Sequence, residues 1–370
     1  MSARVFIWVQ HLLGFGHFAR ERVIAEAVRD AGFDVTLISG GVTPAEVVPG
    51  GVSFVQLPAA RAKDELFDEL VDDHGRDVDQ QWHGARRDRL LAAFRTARPD
   101  VLITETFPFG RRLLEHELTA LLAEAKDAPQ GPKIVSSVRD VLQRPRKDVR
   151  AVAMVERARA FYDAVIVHGD PRVFRVEQSF PEMTAIAQRC AYTGYICADM
   201  PKRTGLRREI LVSAGGGAAG QGLIAAALEA RTYARPSDAT WTFVTGPLTA
   251  MPPAVEGVTM VRSLPDFRAR LANAAVSISQ AGYNTLIETV KAQTPAIVVP
   301  FETDREQEQL TRARAFADLG LVRMLRSKDL EPRALARLLD ATIGSVPPTA
   351  TIDFNGAAGT VRAINAVLGR

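Results

Sequence analysis

Residues 277–289, with the sequence SISQAGYNTLIET, contain a short apolar strand, a turn of small residues and the start of a helix. A helix that begins after such a turn directs unpaired backbone amides outward, where they attract anions. The spacing of Thr285 and Glu288 also fits a capping box, in which two side chains satisfy the amides of the helix start. Judged in isolation, this segment is better explained as a cap than as an anion site.

Units of the same kind recur along the chain, because short apolar runs alternate with helical patterns. Such runs are typical of buried parallel strands covered by helices on both faces. The first half has predicted strands at 4–9, 33–39, 52–57, 101–104, 133–138 and 164–168, with helices at about 18–31 and 76–98. The second half restarts with a predicted strand that runs into a Gly-rich turn (209–217), and further strands are predicted at 241–246, 258–264, 276–279 and 297–301.

The predicted fold class is therefore α/β, with two Rossmann-like parallel-sheet domains that face a cleft. A polar, basic segment containing Pro and Gly separates the two halves. The predicted parts are an N-terminal domain (1–197), a linker (198–207), a C-terminal domain (208–345) and a tail (346–370) whose helix packs back on the N-terminal domain. Open sheets of this class bind ligands at the carboxyl ends of their strands.

Composition excludes several classes of protein. The chain has 370 residues, with 46 Lys and Arg against 43 Asp and Glu, and this balance argues against a nucleic-acid partner. The spacing of Cys190 and Cys197 fits neither a redox pair nor a zinc site, so both are predicted to be reduced thiols. No signal peptide or membrane-spanning run is recognisable. We expect a cytoplasmic protein, and contact with a membrane from that side stays open.

A glycine-rich loop follows the first predicted strand. Gly14, Gly16 and the following residues fit the dinucleotide pattern G-x-G-x-x-A, but the second strand ends at Gly40 and Gly41 without the acidic residue that holds a ribose in dehydrogenases. His17 begins the first helix at the carboxyl edge of the sheet, where an imidazole can accept a proton from an acceptor hydroxyl. The alternative is an inert histidine at a helix start.

Further candidates lie at the ends of other predicted strands. Glu105 follows the strand 101–104 and is either a base, a residue that orients His17, or a surface acid. Arg139, Asp140 and His168 end neighbouring strands and are expected to line the pocket of the N-terminal domain. The apolar and basic stretch 107–114 either rests on a lipid surface or starts a helix.

Two loops of the second half suit a phosphorylated sugar. The loop with Gly215, Gly216 and Gly217 offers backbone amides to a phosphate, or is only a tight turn. The loop after the strand 297–301 carries the carboxylates and amides that sugar hydroxyls require, or is a solvated first helical turn. Its candidate residues are Asp304, Gln307, Glu308 and Gln309.

The run SQAGYNTLIETVKAQTPAIVVPF (279–301), followed by DREQEQ (304–309), resembles the donor signature of GT-B glycosyltransferases. The most similar are glycosyltransferase family 28, which includes the peptidoglycan lipid-intermediate N-acetylglucosaminyltransferase, and its branch of predicted glycosyltransferases. The segments 14–41, VHGDP (167–171) and YTGYI (192–196) resemble that branch as well.

This resemblance implies roles for individual residues. The turn would hold the donor diphosphate together with the loop Gly215 to Gly217, Glu288 would bind the ribose, and Leu264 would contact the base. The loop 304–309 would hold the hydroxyls of the donor sugar, with Gln307 or Gln309 as the nearest match. The residues of the diphosphate turn are Ala281, Gly282, Tyr283, Asn284 and Thr285.

The resemblance also implies the reaction. It is inverting transfer by a single displacement from a nucleotide sugar, with uridine as the family's usual base, and it needs neither a metal nor a cofactor. The N-terminal domain would hold the acceptor, which is a glycan, a lipid-linked molecule or a small molecule, and His17 or Glu105 would be the base. Two alternatives stay open, namely a sugar-nucleotide 2-epimerase of the same fold and a non-catalytic nucleotide-sugar-binding protein.

Overall fold

A computed structural model describes residues 2–12, 14–63, 68–205, 207–215, 220–235, 239–246, 251–304 and 306–370. Contacts divide the chain into two compact units. Unit 1 comprises Met1–Ile196 and Asp353–Arg370, and unit 2 comprises Cys197–Ile352. The carboxyl-terminal segment therefore belongs to the same unit as the amino-terminal half.

The strands and helices alternate along the chain. The strands are β1 (Arg4–Val9), β2 (Asp34–Ser39), β3 (Ser53–Gln56), β4 (Ala60–Ala62), β5 (Leu70–Asp72), β6 (Val101–Glu105), β7 (Lys133–Arg139), β8 (Ala164–His168), β9 (Cys190–Tyr192), β10 (Glu209–Ser213), β11 (Thr240–Val244), β12 (Val258–Val261), β13 (Val276–Ser279), β14 (Ala296–Val298) and β15 (Arg323–Met324). The helices are α1 (Gly16–Asp30), α2 (Gln80–Ala97), α3 (Glu115–Asp127), α4 (Asp148–Phe161), α5 (Val176–Ser179), α6 (Gln221–Ala230), α7 (Phe267–Asn273), α8 (Tyr283–Lys291), α9 (Glu308–Asp318), α10 (Pro332–Thr342) and α11 (Gly356–Val367).

Each unit is built on one parallel sheet. The strand order is β3-β2-β1-β6-β7-β8-β9 in unit 1 and β12-β11-β10-β13-β14-β15 in unit 2. The predicted α/β class with two parallel sheets is thus confirmed. The run RVFIWV forms β1, in which only Arg4 is not buried, because neighbours on both sides and helices on both faces cover a central strand.

Several elements differ from the sequence-based expectation. The second helix was predicted from residue 76, but α2 begins at Gln80 because the Asp79 side chain caps it by accepting a 2.7 Å hydrogen bond from the Trp82 amide. The antiparallel pair β4–β5 has no clear alternating pattern in the sequence and was not predicted.

Among the described residues, none of the helices combines the length and apolar character required to cross a bilayer.

The order of both sheets reverses beside one central strand. In unit 1, β1 lies between β2 and β6, and in unit 2, β10 lies between β11 and β13. Helices leave such neighbouring strands toward opposite faces, so a crevice opens at their carboxyl ends and binds ligands in open α/β sheets. The topology therefore places a candidate site after β1 and β6 in unit 1, and another after β10 and β13 in unit 2.

The helix α11 packs closely on the rest of unit 1 through two glycines. The Tyr195 amide donates a 2.7 Å hydrogen bond to the Asp353 carbonyl, and the Gly356 amide donates one of 3.1 Å to the Tyr195 carbonyl. A Cβ atom on Gly359 would collide with the carbonyl oxygen of Thr193. This close backbone approach requires a residue without a side chain.

We expect Gly359→Ala to destabilise the protein by about 1–3 kcal/mol, because the added methyl group overpacks a backbone contact. Gly222→Ala is the matched control, since none of the described residues lies within 4 Å of a Cβ on that exposed helical glycine. Alanine there should be neutral or stabilise α6 by up to about 1 kcal/mol. Urea unfolding of both variants measures the difference, and equal effects at the two positions would contradict the close packing of α11.

Candidate active site

Glu105 ends β6 and is completely buried within a ring of polar groups. Arg20 donates a 2.6 Å hydrogen bond to one carboxylate oxygen, and Arg111 donates one of 2.8 Å to the other. The Thr106 hydroxyl and the Nδ1 atom of His17 each lie 2.5 Å from the oxygen that Arg20 binds. Both predicted candidates for the base, His17 and Glu105, are therefore in direct contact.

The loop after β6 brings Arg111 back to Glu105. Thr106 and Arg111 adopt the left-handed backbone conformation, with φ values of 64° and 63°. This conformation is unfavourable for residues with a side chain and is found mostly where the surrounding structure holds it in place. The loop thus contributes two of the polar groups that surround the carboxylate.

These contacts determine the charges at the site. Burial alone would raise the pKa of Glu105, but Arg111, His17 and Arg20 outweigh it and hold this pKa well below its usual value. The pKa of His17 is lowered to about 3, chiefly by burial; Glu105 opposes this shift, and Arg111 and Arg139 add to it. At neutral pH the pair is thus a carboxylate next to an uncharged imidazole.

The tautomer of His17 follows from its two neighbours. Its Nδ1 atom lies 2.5 Å from Glu105 and 2.8 Å from the Nη2 atom of Arg111. A guanidinium only donates, so Arg111 favours a bare Nδ1, whereas Glu105 favours Nδ1–H. The shorter, charge-assisted contact with the carboxylate assigns the proton to Nδ1. Nε2 then carries the free lone pair, as a base for an acceptor hydroxyl requires.

A second layer of buried polar residues supports Arg20. Glu21 lies 3.6 Å from the Nε atom of Arg20 and accepts a 2.9 Å hydrogen bond from the Ser137 hydroxyl. The Ser137 hydroxyl and the Nε2 atom of His168 are 2.8 Å apart, and Nδ1 of His168 lies 2.8 Å from the Thr193 hydroxyl. The network extends from Glu105 to the end of β9.

This network corrects two expectations for the pocket wall. His168 is fully buried and both of its ring nitrogens are hydrogen-bonded. It therefore supports the site through Ser137 and Thr193 from inside unit 1. Asp140 is also fully buried, and its carboxylate accepts a 2.9 Å hydrogen bond from the Val141 amide. Arg139 remains half-buried at the end of β7, close enough to lower the pKa of His17.

The glycines of the first loop lie next to the same site. Gly14 is half-buried in the loop after β1, and apart from its chain neighbours no atom of the described residues lies within 4 Å of the position that its Cβ would take. Gly16 is the first residue of α1, directly before His17. The loop therefore leaves room beside the start of α1.

Of the two alternatives for residues 107–114, the structure disfavours the lipid surface. Phe107, Phe109 and Leu114 are at most 3% exposed, since they pack in the hydrophobic core of unit 1. The ring of Phe109 contacts that of Phe180 edge to face, with 5.7 Å between the centroids. Core packing thus leaves these apolar side chains inside the unit.

In unit 2, α8 begins directly after β13 and a three-residue turn. Gly282 is the N-cap, and no side chain hydrogen-bonds to this helix end as a cap. The expected capping box is wrong, because Thr285 lies inside the first turn and Glu288 instead accepts a 2.8 Å hydrogen bond from Arg268. The first-turn amides of a helix have no partner within the helix, so this end can attract an anion.

Buried contacts fix the turn that precedes α8. The guanidinium of Arg312 lies over the ring of Tyr283, 5.4 Å from its centroid, and donates a 2.6 Å hydrogen bond to Glu308. Ala281 is completely buried, and Asn284 is half-buried. Glu308, a predicted ligand of the donor sugar, is thus a buried partner of Arg312.

The other predicted donor residues are distributed around the same edge of the sheet. Gly215 follows β10, has a φ of +72° and lies next to the Gln280 side chain, whereas Gly216 and Gly217 lie outside the described residues. Leu264 is half-buried and packs on the small apolar cluster around Leu211. Parallel pairing of β10 with β13 therefore brings Gly215 beside the turn before α8.

The two glutamines of the loop 304–309 have different environments. The Gln309 side-chain oxygen accepts a 3.1 Å hydrogen bond from the Phe301 amide, which binds this residue to its own loop. Gln307 and Asp304 are exposed. The Gln307 side chain also donates a hydrogen bond to the Thr303 carbonyl of this loop, so the two glutamines differ in exposure.

The sequence-based reasoning missed Arg20, Glu21 and Arg111. A helical signal was available for Arg20, since residues three apart lie on one face of a helix and Arg20 follows His17 by three. No comparable signal existed for Arg111, because a left-handed turn brings it to Glu105.

Comparisons with known proteins find similarity to glycosyltransferases. Residues 227–345 match the glycosyltransferase family 28 C-terminal domain. A UDP-N-acetylglucosamine–N-acetylmuramyl-(pentapeptide) pyrophosphoryl-undecaprenol N-acetylglucosamine transferase of Gloeothece citriformis is 38% identical over 69 residues, which are 19% of each chain. A transferase of the same name from Erythrobacter litoralis is 34% identical over 84 residues, 23% of this chain and 21% of its own. The matched segments thus span about a fifth of the length of these curated relatives.

Solved structures share the fold over the whole chain. The calicheamicin glycosyltransferase CalG4 is 17% identical, with a TM-score of 0.65 over 100% of this chain and 99% of its own. Acinetobacter baumannii MurG is 14% identical, with a TM-score of 0.58 over 98% and 99%. Together, these matches confirm the predicted GT-B fold and the similarity of residues 227–345 to a family 28 C-terminal domain.

We expect the free energy of unfolding of Glu21→Gln to increase, relative to that of the wild type, as the pH rises. Burial, more than any other effect, raises the pKa of Glu21 from 4.5 to about 7, so the folded protein binds a proton in this range that the unfolded chain has lost. This contribution of Glu21 is present at low pH and is lost as the pH rises through that window, whereas glutamine cannot ionise.

Urea unfolding at about pH 5 and about pH 8 should show the variant gaining about 1–3 kcal/mol relative to the wild type between the two conditions. Glu26→Gln, at a partly exposed position of the same helix, controls for the general effect of pH on unfolding. A constant difference between wild type and Glu21→Gln at both pH values would contradict the buried, protonated state of Glu21.

Proposed function

We propose, from the GT-B fold of this chain and the family 28 match of residues 227–345, that it is a glycosyltransferase that transfers a sugar from a UDP-sugar to an acceptor hydroxyl. The observation that carries the proposal is the contact between His17 and Glu105 at the carboxyl edge of the first sheet. An uncharged imidazole oriented by a buried carboxylate is the arrangement that general-base catalysis requires.

In the proposed reaction, Nε2 of His17 takes the proton of the acceptor hydroxyl. The acceptor oxygen attacks the anomeric carbon of the sugar, the bond to the nucleoside diphosphate breaks, and the configuration inverts. Glu105 is a positioning residue, because two arginines hold its charge and it is completely buried. It fixes the tautomer and stabilises the imidazolium that forms.

The donor would bind at the start of α8. The first-turn amides from Tyr283 to Thr285 and the positive end of the helix dipole would stabilise the diphosphate as it leaves, so that no metal is required. Gly215 would add a backbone contact, and Leu264 would contact the base. Glu288 would bind the ribose with its carboxylate, one oxygen of which accepts from Arg268.

The donor sugar would bind beside the loop that follows β14. Asp304 and Gln307 are the exposed polar side chains proposed to contact its hydroxyls. The names of the curated relatives specify a lipid-linked acceptor, which supports a cytoplasmic enzyme that meets its acceptor at a membrane surface. A glycan or a small molecule remains the alternative acceptor, and neither a nucleic acid nor a cofactor has a role in the proposed reaction.

The two other functions predict different products. A sugar-nucleotide 2-epimerase would convert the donor when no acceptor is present, and a non-catalytic binding protein would bind the donor without releasing UDP. UDP release that depends on an added acceptor supports the transferase. The family match of residues 227–345 favours the transferase over both alternatives.

We expect His17→Ala to lower kcat by about 10²–10⁴-fold, because the acceptor hydroxyl loses its base. Glu105→Gln should lower kcat by at least about tenfold, because glutamine cannot stabilise the imidazolium. Acceptor-dependent UDP release from a panel of UDP-sugars measures both effects.

His74→Ala is the control for these variants, since His74 belongs to the same unit and its side chain is 69% exposed. It should retain the wild-type rate. Rates near wild type in both site variants would remove the base assignment, and unfolding curves identify any variant that fails to fold.

We expect Glu288→Ala to weaken the binding of UDP by about tenfold, because the ribose loses a charged hydrogen-bonding partner. Glu256→Ala, at an exposed position of unit 2, is the control. Titration calorimetry with and without EDTA measures the dissociation constants. An unchanged affinity of Glu288→Ala would contradict the ribose role, and loss of UDP binding in EDTA would contradict metal independence.

A further inference from the structure

Unit 2 has a groove of about 780 Å³ at the amino ends of its strands. The turn before α8 (residues 280–282, here the donor turn) lies at the opposite, carboxyl ends. Three of its lining residues, Arg207, Ala275 and Pro295, lie shortly before the first residues of β10, β13 and β14. The donor turn follows the carboxyl end of β13, and this strand of four residues spans about 13 Å. A ligand in the groove would therefore be separate from the donor diphosphate.

The charged side chains that line the groove are all cations. They come from the linker before β10 and from the last residue of α8, and they are Lys202, Arg203, Arg207 and Lys291. A groove of this size suits a small ligand rather than a macromolecule.

Few protein groups neutralise these cations. Among the residues that the structure describes, no carboxylate lies within 4 Å of the charged groups of Lys202, Arg203 or Arg207. Lys291 lies 3.9 Å from Asp199, whose side chain is fully exposed, and donates a 3.3 Å hydrogen bond to the Ala198 carbonyl. The groove thus concentrates positive charge that an anion would relieve.

One of these cations, Arg207, is held in a defined position. Arg207 is half-buried and donates a 3.0 Å hydrogen bond from Nη2 to the Gln293 carbonyl. Burial lowers the pKa of Arg207, and the charge of Arg203 lowers it further. Like charges that are close together with little carboxylate around them are unfavourable unless an anion bridges them.

We propose that this groove binds a phosphate-bearing anion at a site separate from the donor site. Guanidinium forks match the oxygens of a phosphate, and lysines add point charges that tolerate several orientations. The phosphate belongs either to a small soluble molecule or to a lipid headgroup. Val346, which is 88% exposed at the rim of the groove, would contact the apolar part of such a lipid.

The test uses the double variant Lys202→Gln/Arg203→Gln, in which both substitutions are at exposed positions and should leave folding intact. Titration calorimetry of inorganic pyrophosphate, with UDP present to occupy the donor site, should show about tenfold weaker binding in the variant. Arg314→Gln/Arg337→Gln is the control, because it removes the same charge from exposed positions of unit 2 outside the groove. UDP itself should bind the groove variant as it binds the wild type.

A second arm distinguishes the two sources of phosphate. Sedimentation with phosphatidylglycerol vesicles, compared with phosphatidylcholine vesicles at the same ionic strength, tests a lipid headgroup. Pyrophosphate binding that depends on the groove supports a soluble anion, and vesicle binding that depends on it supports a lipid. If the groove variant and the control behave alike with both probes, or if neither probe binds, the proposal is overturned. Because UDP binding is measured separately, this result is distinct from a failure of the donor site.

Discussion

A buried carboxylate is the constraint on which the site of unit 1 depends. Glu105 is removed from water, and an ionised group in that position is stable only when charged or polar partners surround it. Arg20, Arg111, His17 and Thr106 supply those partners within 2.8 Å. Satisfying one charge therefore fixes the start of α1 and the loop after β6 relative to each other.

The same requirement extends through the unit. Glu21 lies beside Arg20, Ser137 joins Glu21 to His168, and His168 reaches the end of β9 through Thr193. The backbone of Thr193 is also where the glycine of α11 packs. A continuous set of contacts thus links the candidate base to the carboxyl-terminal helix, and the rigidity of the site depends on packing far along the chain.

Sequence reasoning was strongest where one physical signal dominates. The apolar runs of β1, β8 and β13 gave the limits of these strands, because burial on both faces leaves no other pattern. The proximity of His17 and Glu105 followed from their places at the ends of two strands. Arg111 was missed because its position depends on a left-handed turn, and the role of His168 was misjudged because a strand end indicates the edge of the sheet but not the depth of a side chain.

The division of the chain into units has a consequence for its synthesis. Unit 1 contains both the first residues and Asp353–Arg370, so the ribosome must make all of unit 2 before the last helix of unit 1 is available. At ordinary elongation rates this delay is roughly 10–35 s. During that time the edge formed by Thr193 to Tyr195 lacks its covering helix, and backbone groups there stay exposed until α11 has been synthesised.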